Sequence, residues 1–174
     1  MLKAQQRGFT IVELLIVIVV IAILATISVI AYSGIQTRAK NMKTMNATTA
    51  WIKALKLYNA DKDDWPTYNS CLGSLTTYQG NSSQCFNSGT WVVNTNFLMQ
   101  MQPYISSYPE PDATDVTLGA TNTPRRGALY HISGTDRLIW MLLSGVSSCP
   151  DMGLPTNVNT GAEPGGMHCV YKIN

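Results

Sequence analysis

Proline is absent from the first 65 residues, and between Phe9 and Tyr32 the only charged side chain is Glu13. The first absence removes the strongest helix breaker from a long stretch of chain. The second leaves 24 residues that have almost nothing to hold them in water. As a helix rising about 1.5 Å per residue, this stretch extends roughly 36 Å, enough to cross a hydrocarbon core of about 30 Å. Histidine is nearly missing as well, with only His131 and His168 available for acid-base work. His131 sits in an apparent strand and reads as structural; His168 adjoins Cys169, but a disulfide role for that cysteine outweighs a Cys/His dyad. No GxxxxGK[ST] or GxGxxG pattern occurs, so nucleotide binding has no support. Asp61, Asp63 and Asp64, or Asp112 and Asp115, could gather oxygen ligands for Ca²⁺, yet neither group matches an EF-hand loop. No enzyme activity, cofactor or metal site is expected.

What is present at the N-terminus is more informative. The run from Leu14 to Ala31 is broken only by Thr26 and Ser28, whose hydroxyls can bond back to their own helix. The apolar region of a secretory signal ends after about 7–15 residues at a small-residue cleavage site. Ala22-Ile-Leu-Ala25 imitates such a site, but the apolar residues carry on past it. An ionisable side chain at the edge of this span is costly in lipid and needs a partner from outside the span. A second copy of the chain can supply it.

The junction Met1-Leu-Lys-Ala-Gln-Gln-Arg-Gly8, followed by Phe9-Thr-Ile-Val-Glu13-Leu-Leu, strongly resembles the class III leader and mature N-terminus of type IV pilins and type II secretion pseudopilins. The resemblance covers about the first 35 residues. It implies that a prepilin peptidase cuts after Gly8 and methylates the new N-terminal Phe9. It also implies that Glu13 of an incoming subunit pairs with the Phe9 amine of a subunit already in a filament. The two groups lie about one helical turn apart in sequence, so pairing within one chain is geometrically open too. Many members of this family carry proline where Ile30 stands, in a context that here reads Ile30-Ala31-Tyr32. Without it, Ser28, Ser33 and Gly34 are the only weak points of the helix, and a straighter stem with less melting on assembly is expected.

The helical pattern continues beyond the span. Ile35, Ala39, Met42, Met45, Thr49, Ile52 and Leu55 recur at steps of three and four, which predicts one packed face of a helix running to about Ala60. Asp61-Lys-Asp-Asp-Trp-Pro66 then ends it. Charge is partitioned along the chain: residues 33–60 carry five bases and no acid, whereas residues 61–174 carry five bases and nine acids. A basic stem and an acidic head can attract one another between subunits, although salt screens exposed charges beyond about 8 Å.

Cys71, Cys85, Cys149 and Cys169 all follow the span and show no CxxC spacing. Disulfides persist outside the cytoplasm, which predicts an exported head. Of three pairings, Cys71 with Cys85 and Cys149 with Cys169 is favoured, because each encloses a loop rich in Gly, Ser, Asn or Pro. The second pair also resembles the C-terminal disulfide loop of many type IV pilins. The head reads as α+β. A long loop is expected over 67–89, and a short helix over 96–105, capped by Asn94, Thr95 or Asn96 and similar to a segment of secretion pseudopilins. A hairpin of 128–132 and 137–143 follows, with a third strand at 169–173. Layer logic places the apolar face of this small antiparallel sheet on the back of the long helix. Asn46-Ala-Thr48 and Asn81-Ser-Ser83 match a glycosylation sequon that also arises by chance. Arg125 and Arg126 near Tyr130 and His131 form a small basic-aromatic group, but an acidic head argues against nucleic-acid binding.

The expected organisation is a leader at 1–8, a transmembrane and filament-core helix at 9–32, an amphipathic continuation at 33–60, and an extracytoplasmic head at 61–174. The expected protein is a structural filament subunit, first of all a major type IV pilin. Minor pilin and type II secretion pseudopilin are the alternatives, and a monomeric membrane-anchored exoprotein with a binding head is the alternative from another class. The resemblance implies a homo-oligomeric helical filament, a prepilin peptidase, an assembly ATPase and a platform protein as partners. The precursor is expected to be a single-pass cytoplasmic-membrane protein.

Overall fold

The structure is a computed structural model that describes residues 9–78, 84–86, 91–114, 116–118, 123–155, 161–163 and 165–174. The chain divides into two compact units at Arg38 and Ala39. One helix, α1, is assigned over Ile11–Lys62, with no break at Ser33 or Gly34.

In the first unit, α1 is apolar on all sides from Leu14 to Val29 apart from the hydroxyls of Thr26 and Ser28. Its side chains have no protein to pack on, with Leu14, Val17 and Leu24 each more than half exposed. The hydroxyls of Thr26 and Ser28 donate to the carbonyls of Ala22 (2.8 Å) and Leu24 (2.7 Å), as a hydroxyl in an apolar helix must if it is not to go unpaired.

In the second unit, the remainder of α1 lies against a two-sheet head. The first sheet is antiparallel, in the order β1-β6-β7-β9-β8, built from Ser70–Cys71, Ala128–Ser133, Asp136–Ser144, Gly166–Lys172 and Gly161–Glu163. The second has the order β3-β2-β5-β4, from Trp91–Val92, Gln84–Phe86, Thr123–Arg125 and Val116–Leu118. Strands β6 and β7 form the expected hairpin, with Ser133 opposite Asp136. Gly134 opens its two-residue loop at a φ of 59°, a left-handed value that glycine adopts without strain. Strand β9 joins β7 along seven residue pairs and is the third strand expected at the C-terminus.

The face of α1 that packs on the head is rotated from the expected one. Ile35 and Met42 are 64% and 61% exposed, whereas Asn41, Thr44, Thr48 and Trp51 are buried beside Ile52 and Leu55. Asn41 and Thr44 hold two of these positions because their side chains satisfy backbone groups of the head, whereas Thr48 fits by its small size. The Asn41 amide bonds both backbone groups of Ser144, and the Thr44 hydroxyl accepts the Asp112 N–H at 3.1 Å. Hydrophobic periodicity does not see such contacts.

The core is centred on Trp51, fully buried, with its ring stacked on Tyr108 (5.8 Å, 2°) and tilted against Phe97 (5.7 Å). Its Nε1 donates to the Pro109 carbonyl at 2.9 Å, so the segment around Tyr108 to Asp112 is strapped along the helix. The long loop expected over 67–89 is corrected in two places, where β1 and β2 are formed. The bridge Cys71–Cys85 joins these strands and thereby ties one sheet to the other, while Cys149–Cys169 ties the segment after β7 to β9. Helix α2, Thr95–Met101, is capped by Asn94, whose side-chain oxygen accepts from the N–H groups of Asn96 and Phe97. A single 3₁₀ turn over Gln102–Tyr104 follows it.

Candidate assembly site at the N-terminal helix

Helix α1 begins with a reciprocal cap. The backbone N–H and the hydroxyl of Thr10 both donate to Glu13 Oε2, at 2.8 and 2.7 Å, and the Glu13 N–H donates to Thr10 Oγ1 at 3.3 Å. This is a capping box, in which the residue before the helix and the acid three positions later satisfy each other's free backbone donors. An acid in the first turn also suits the positive end of the helix dipole. Glu13 stands out in the sequence as a lone charge, and Thr10 completes the Thr-x-x-Glu spacing before an apolar run that signals this motif.

Phe9 is 83% exposed and precedes the cap. Gly8, where leader cleavage is expected, lies outside the described residues together with the rest of the leader, 1–8. Beyond the cap, α1 is long and apolar enough to cross a membrane, with a mean hydropathy of 3.3 over its most apolar 18 residues and none of that stretch buried within the chain. The site therefore consists of an exposed apolar rod whose one acid is held at its N-terminal edge by a local cap.

The other candidate residues take structural places. His131 stands edge-on to Trp91 (5.0 Å) and Trp140 (4.8 Å), and burial pushes its pKa down. His168 stands edge-on to Trp140 (4.9 Å); burial, with a smaller contribution from the Arg125 charge, pushes its pKa down to about 4. Its neighbour Cys169 is in a disulfide, so no thiolate exists there for a dyad. Asp61 Oδ2 accepts from Tyr104 Oη at 2.5 Å and pairs with Lys62 Nζ at 2.9 Å, and these contacts, led by the tyrosine, lower the Asp61 pKa. Asp112 accepts the Thr114 N–H, and Asp115 lies outside the described residues. Among the described residues, no three His, Cys, Asp or Glu side chains converge on a point that could hold a metal ion. Arg126 and Tyr130 are buried, so the basic-aromatic group does not assemble at the surface. In the first sequon Asn46 is exposed but Thr48 is fully buried; the second, at 81–83, lies outside the described residues.

A long apolar helix with a capped acid at its start, on an α+β head whose antiparallel sheet packs on the helix, defines a pilin-like protein. Residues 3–29 match the family described as prokaryotic N-terminal methylation motif. The chain is 39% identical over 80 residues to fimbrial protein EcpC of Eikenella corrodens, covering 46% of this chain and 52% of that one. It is 38% identical over 71 residues to type II secretion system core protein G of Escherichia coli (strain K12), covering 41% and 49%. It is 32% identical over 76 residues to a fimbrial protein of Neisseria meningitidis serogroup B, covering 44% and 45%. The matched segments span about half the length of these relatives, and no solved structure matches. The N-terminal part of the chain is similar to fimbrial proteins and to type II secretion system core protein G.

Proposed function

We propose that this chain is the structural subunit of a type IV pilus, made as a precursor in the cytoplasmic membrane and polymerised after cleavage between Gly8 and Phe9. The observation that carries the proposal is the exposed apolar rod with Glu13 as its only charge. Transfer of apolar surface out of water is worth about 25 cal/mol per Å², but in lipid that driving force is already satisfied. Association then depends on packing and on the acid. The capping box supplies Glu13 with two hydrogen bonds within its own chain, which lowers the cost of holding the carboxylate at the membrane edge. Cleavage exposes the Phe9 amine, and the peptidase methylates it. The amine of a neighbouring subunit completes the shell of Glu13 and sets the register between subunits.

In this reading residues 9–32 form the filament core, 33–60 the stem, and 61–174 a head outside the cytoplasm, where its two disulfides persist. An assembly ATPase and a platform protein drive the process, and the chain has no catalytic role. Type II secretion pseudopilin is the second reading, favoured by the similarity to core protein G from several organisms.

Imaging of material sheared from cells tests the proposal. Filaments composed mainly of this chain are expected, with Glu13→Ala abolishing them while leaving cleavage intact. Filaments absent under native expression and formed only on overproduction of the secretion machinery favour the pseudopilin reading. Abundant normal filaments from Glu13→Ala overturn the role given to the acid.

A further inference from the structure

Met42 and Trp51 point in opposite directions from α1. Nine residues separate them, which is about two and a half turns at 3.6 per turn, and Met42 is exposed whereas Trp51 is fully buried against the head. The ring of Tyr108 stacks on Trp51 and forms one wall of an open groove of about 410 Å³. Leu75, Leu98 and Met99 supply the rest of its apolar lining, with Ser74 and Thr95 beside them. Leu75 and Met99 are both more than half exposed, so the groove leaves apolar surface in water. A contiguous apolar patch with a polar rim marks a place of association.

One charge stands beside the groove. The Ser74 hydroxyl donates to Glu110 Oε1 at 2.6 Å, which orients this exposed carboxylate without cancelling its charge. The neighbouring Pro109 carbonyl accepts from Trp51 Nε1, so Glu110 and the Tyr108 wall both lie near the height of Trp51 on α1. The chain carries a matching group on the other side of the helix. Of the two large apolar side chains that α1 exposes in the second unit, Leu57 shares a cleft with Met99, and Met42 has the exposed Lys43 next to it. No acid occurs between residues 33 and 60. An unbranched thioether adapts to an irregular apolar groove.

We propose that the groove beside Tyr108 receives Met42 of a second copy of this chain, with Lys43 of that copy facing Glu110. The inference rests on the filament reading and names one contact between neighbouring subunits. Because Met42 lies across α1 from Trp51 and Tyr108, two parallel copies in the same orientation set the outer face of one stem toward the head side of the next, and neither has to turn. An offset of nine residues, about 14 Å along the helix, brings Met42 to the height of Trp51 and Lys43 to that of Glu110. Met42 then seats as an anchor on a helix seats in a groove. The contact joins two different surfaces, so each copy keeps one of them open and the assembly extends as a filament.

The test is cross-linking between two forms of the full-length chain expressed together in cells, one with Met42→Cys and the other, distinguished by an epitope tag, with Leu75→Cys. A short bismaleimide that joins the two forms can only join separate molecules. Mixed dimers are expected from this pair, but not from Lys53→Cys with Leu75→Cys, since Lys53 is exposed on the same face as Met42 and about three turns higher. Lys43→Glu and Glu110→Lys are each expected to lower the recovered polymer several-fold, and the two combined in one chain to restore it, with leader cleavage intact throughout. Native polymer accompanied by no 42/75 product, or by no recovery in the double reversal, overturns this contact and leaves the filament reading standing. A product that joins Leu75→Cys only to a different protein overturns the choice of a second copy as occupant. A native chain recovered only as monomer overturns both the contact and the filament reading.

Discussion

Asn41 on α1 and Ser144 at the end of β7, 103 positions apart, are joined by two hydrogen bonds: Asn41 Nδ2 donates to the Ser144 carbonyl at 2.8 Å, and the Ser144 N–H donates to Asn41 Oδ1 at 3.0 Å. A side-chain amide here takes the place of a neighbouring strand, capping the sheet with the helix. Asn41→Ala leaves both backbone groups of a half-buried residue without partners. The loss expected is about 1–3 kcal/mol, read as a lower denaturation midpoint of the detergent-solubilised chain, and Asn41→Asp is expected to recover only the N–H contact. A midpoint unchanged by Asn41→Ala contradicts this role.

Gly127 stands at a φ of 65°, and a Cβ built there runs into the hydroxyl of Tyr78. That hydroxyl is fixed in place because it donates to the Leu72 carbonyl at 2.9 Å. Gly127→Ala therefore combines a strained backbone with displacement of a buried ring, and costs about 2–4 kcal/mol. Thermal melts distinguish it from Gly134→Ala, where nothing lies within 4 Å and only the backbone strain remains.

Acid should loosen the head through His168. Its folded pKa, near 4, lies below the ordinary value of 6.5, so the unfolded chain binds the extra proton between these two values. Stability attributable to this group is complete above about pH 6.5, falls as the pH drops toward 4, and amounts to roughly 2–3 kcal/mol at full expression. His131 acts in the same direction. Denaturation midpoints measured from pH 7 to pH 4 should fall less steeply for His168→Phe than for the native chain; parallel profiles contradict the assignment.

Thr10→Val removes the hydroxyl that closes the cap on Glu13 and is expected to cost about 1 kcal/mol at the start of α1. Hydrogen exchange of the first helical turn, in detergent micelles, should rise by several-fold in this variant and remain unchanged in Thr10→Ser.

The long helix, the hairpin over 128–143 and the C-terminal strand were legible because each rests on local pattern: an apolar run without proline, and alternating strands around a Gly-containing turn. The end of α1 was legible from chemistry alone, and Asp63 indeed turns the chain at a φ of 51°. The second sheet was not legible. Its strands are two or three residues long, lie within a Ser, Thr and Asn-rich background, and depend on pairing across the chain. The orientation of α1 differs from its hydrophobic periodicity for a related reason, since Asn41, Thr44 and Thr48 face the head for their polar atoms or small size, and Met42 faces outward. At the assembly site, Glu13 stood out as a lone charge, whereas its partner Thr10 looks ordinary until the i, i+3 spacing is tested as a cap.

The account rests on processing followed by polymerisation, and mass spectrometry of the N-terminal peptide from sheared surface filaments tests it most directly. The expected peptide begins at methylated Phe9, and Gly8→Ala leaves the precursor uncut and unassembled. A chain that begins at Met1 or near Ala25, or one found only as a solitary protein in the membrane, contradicts it.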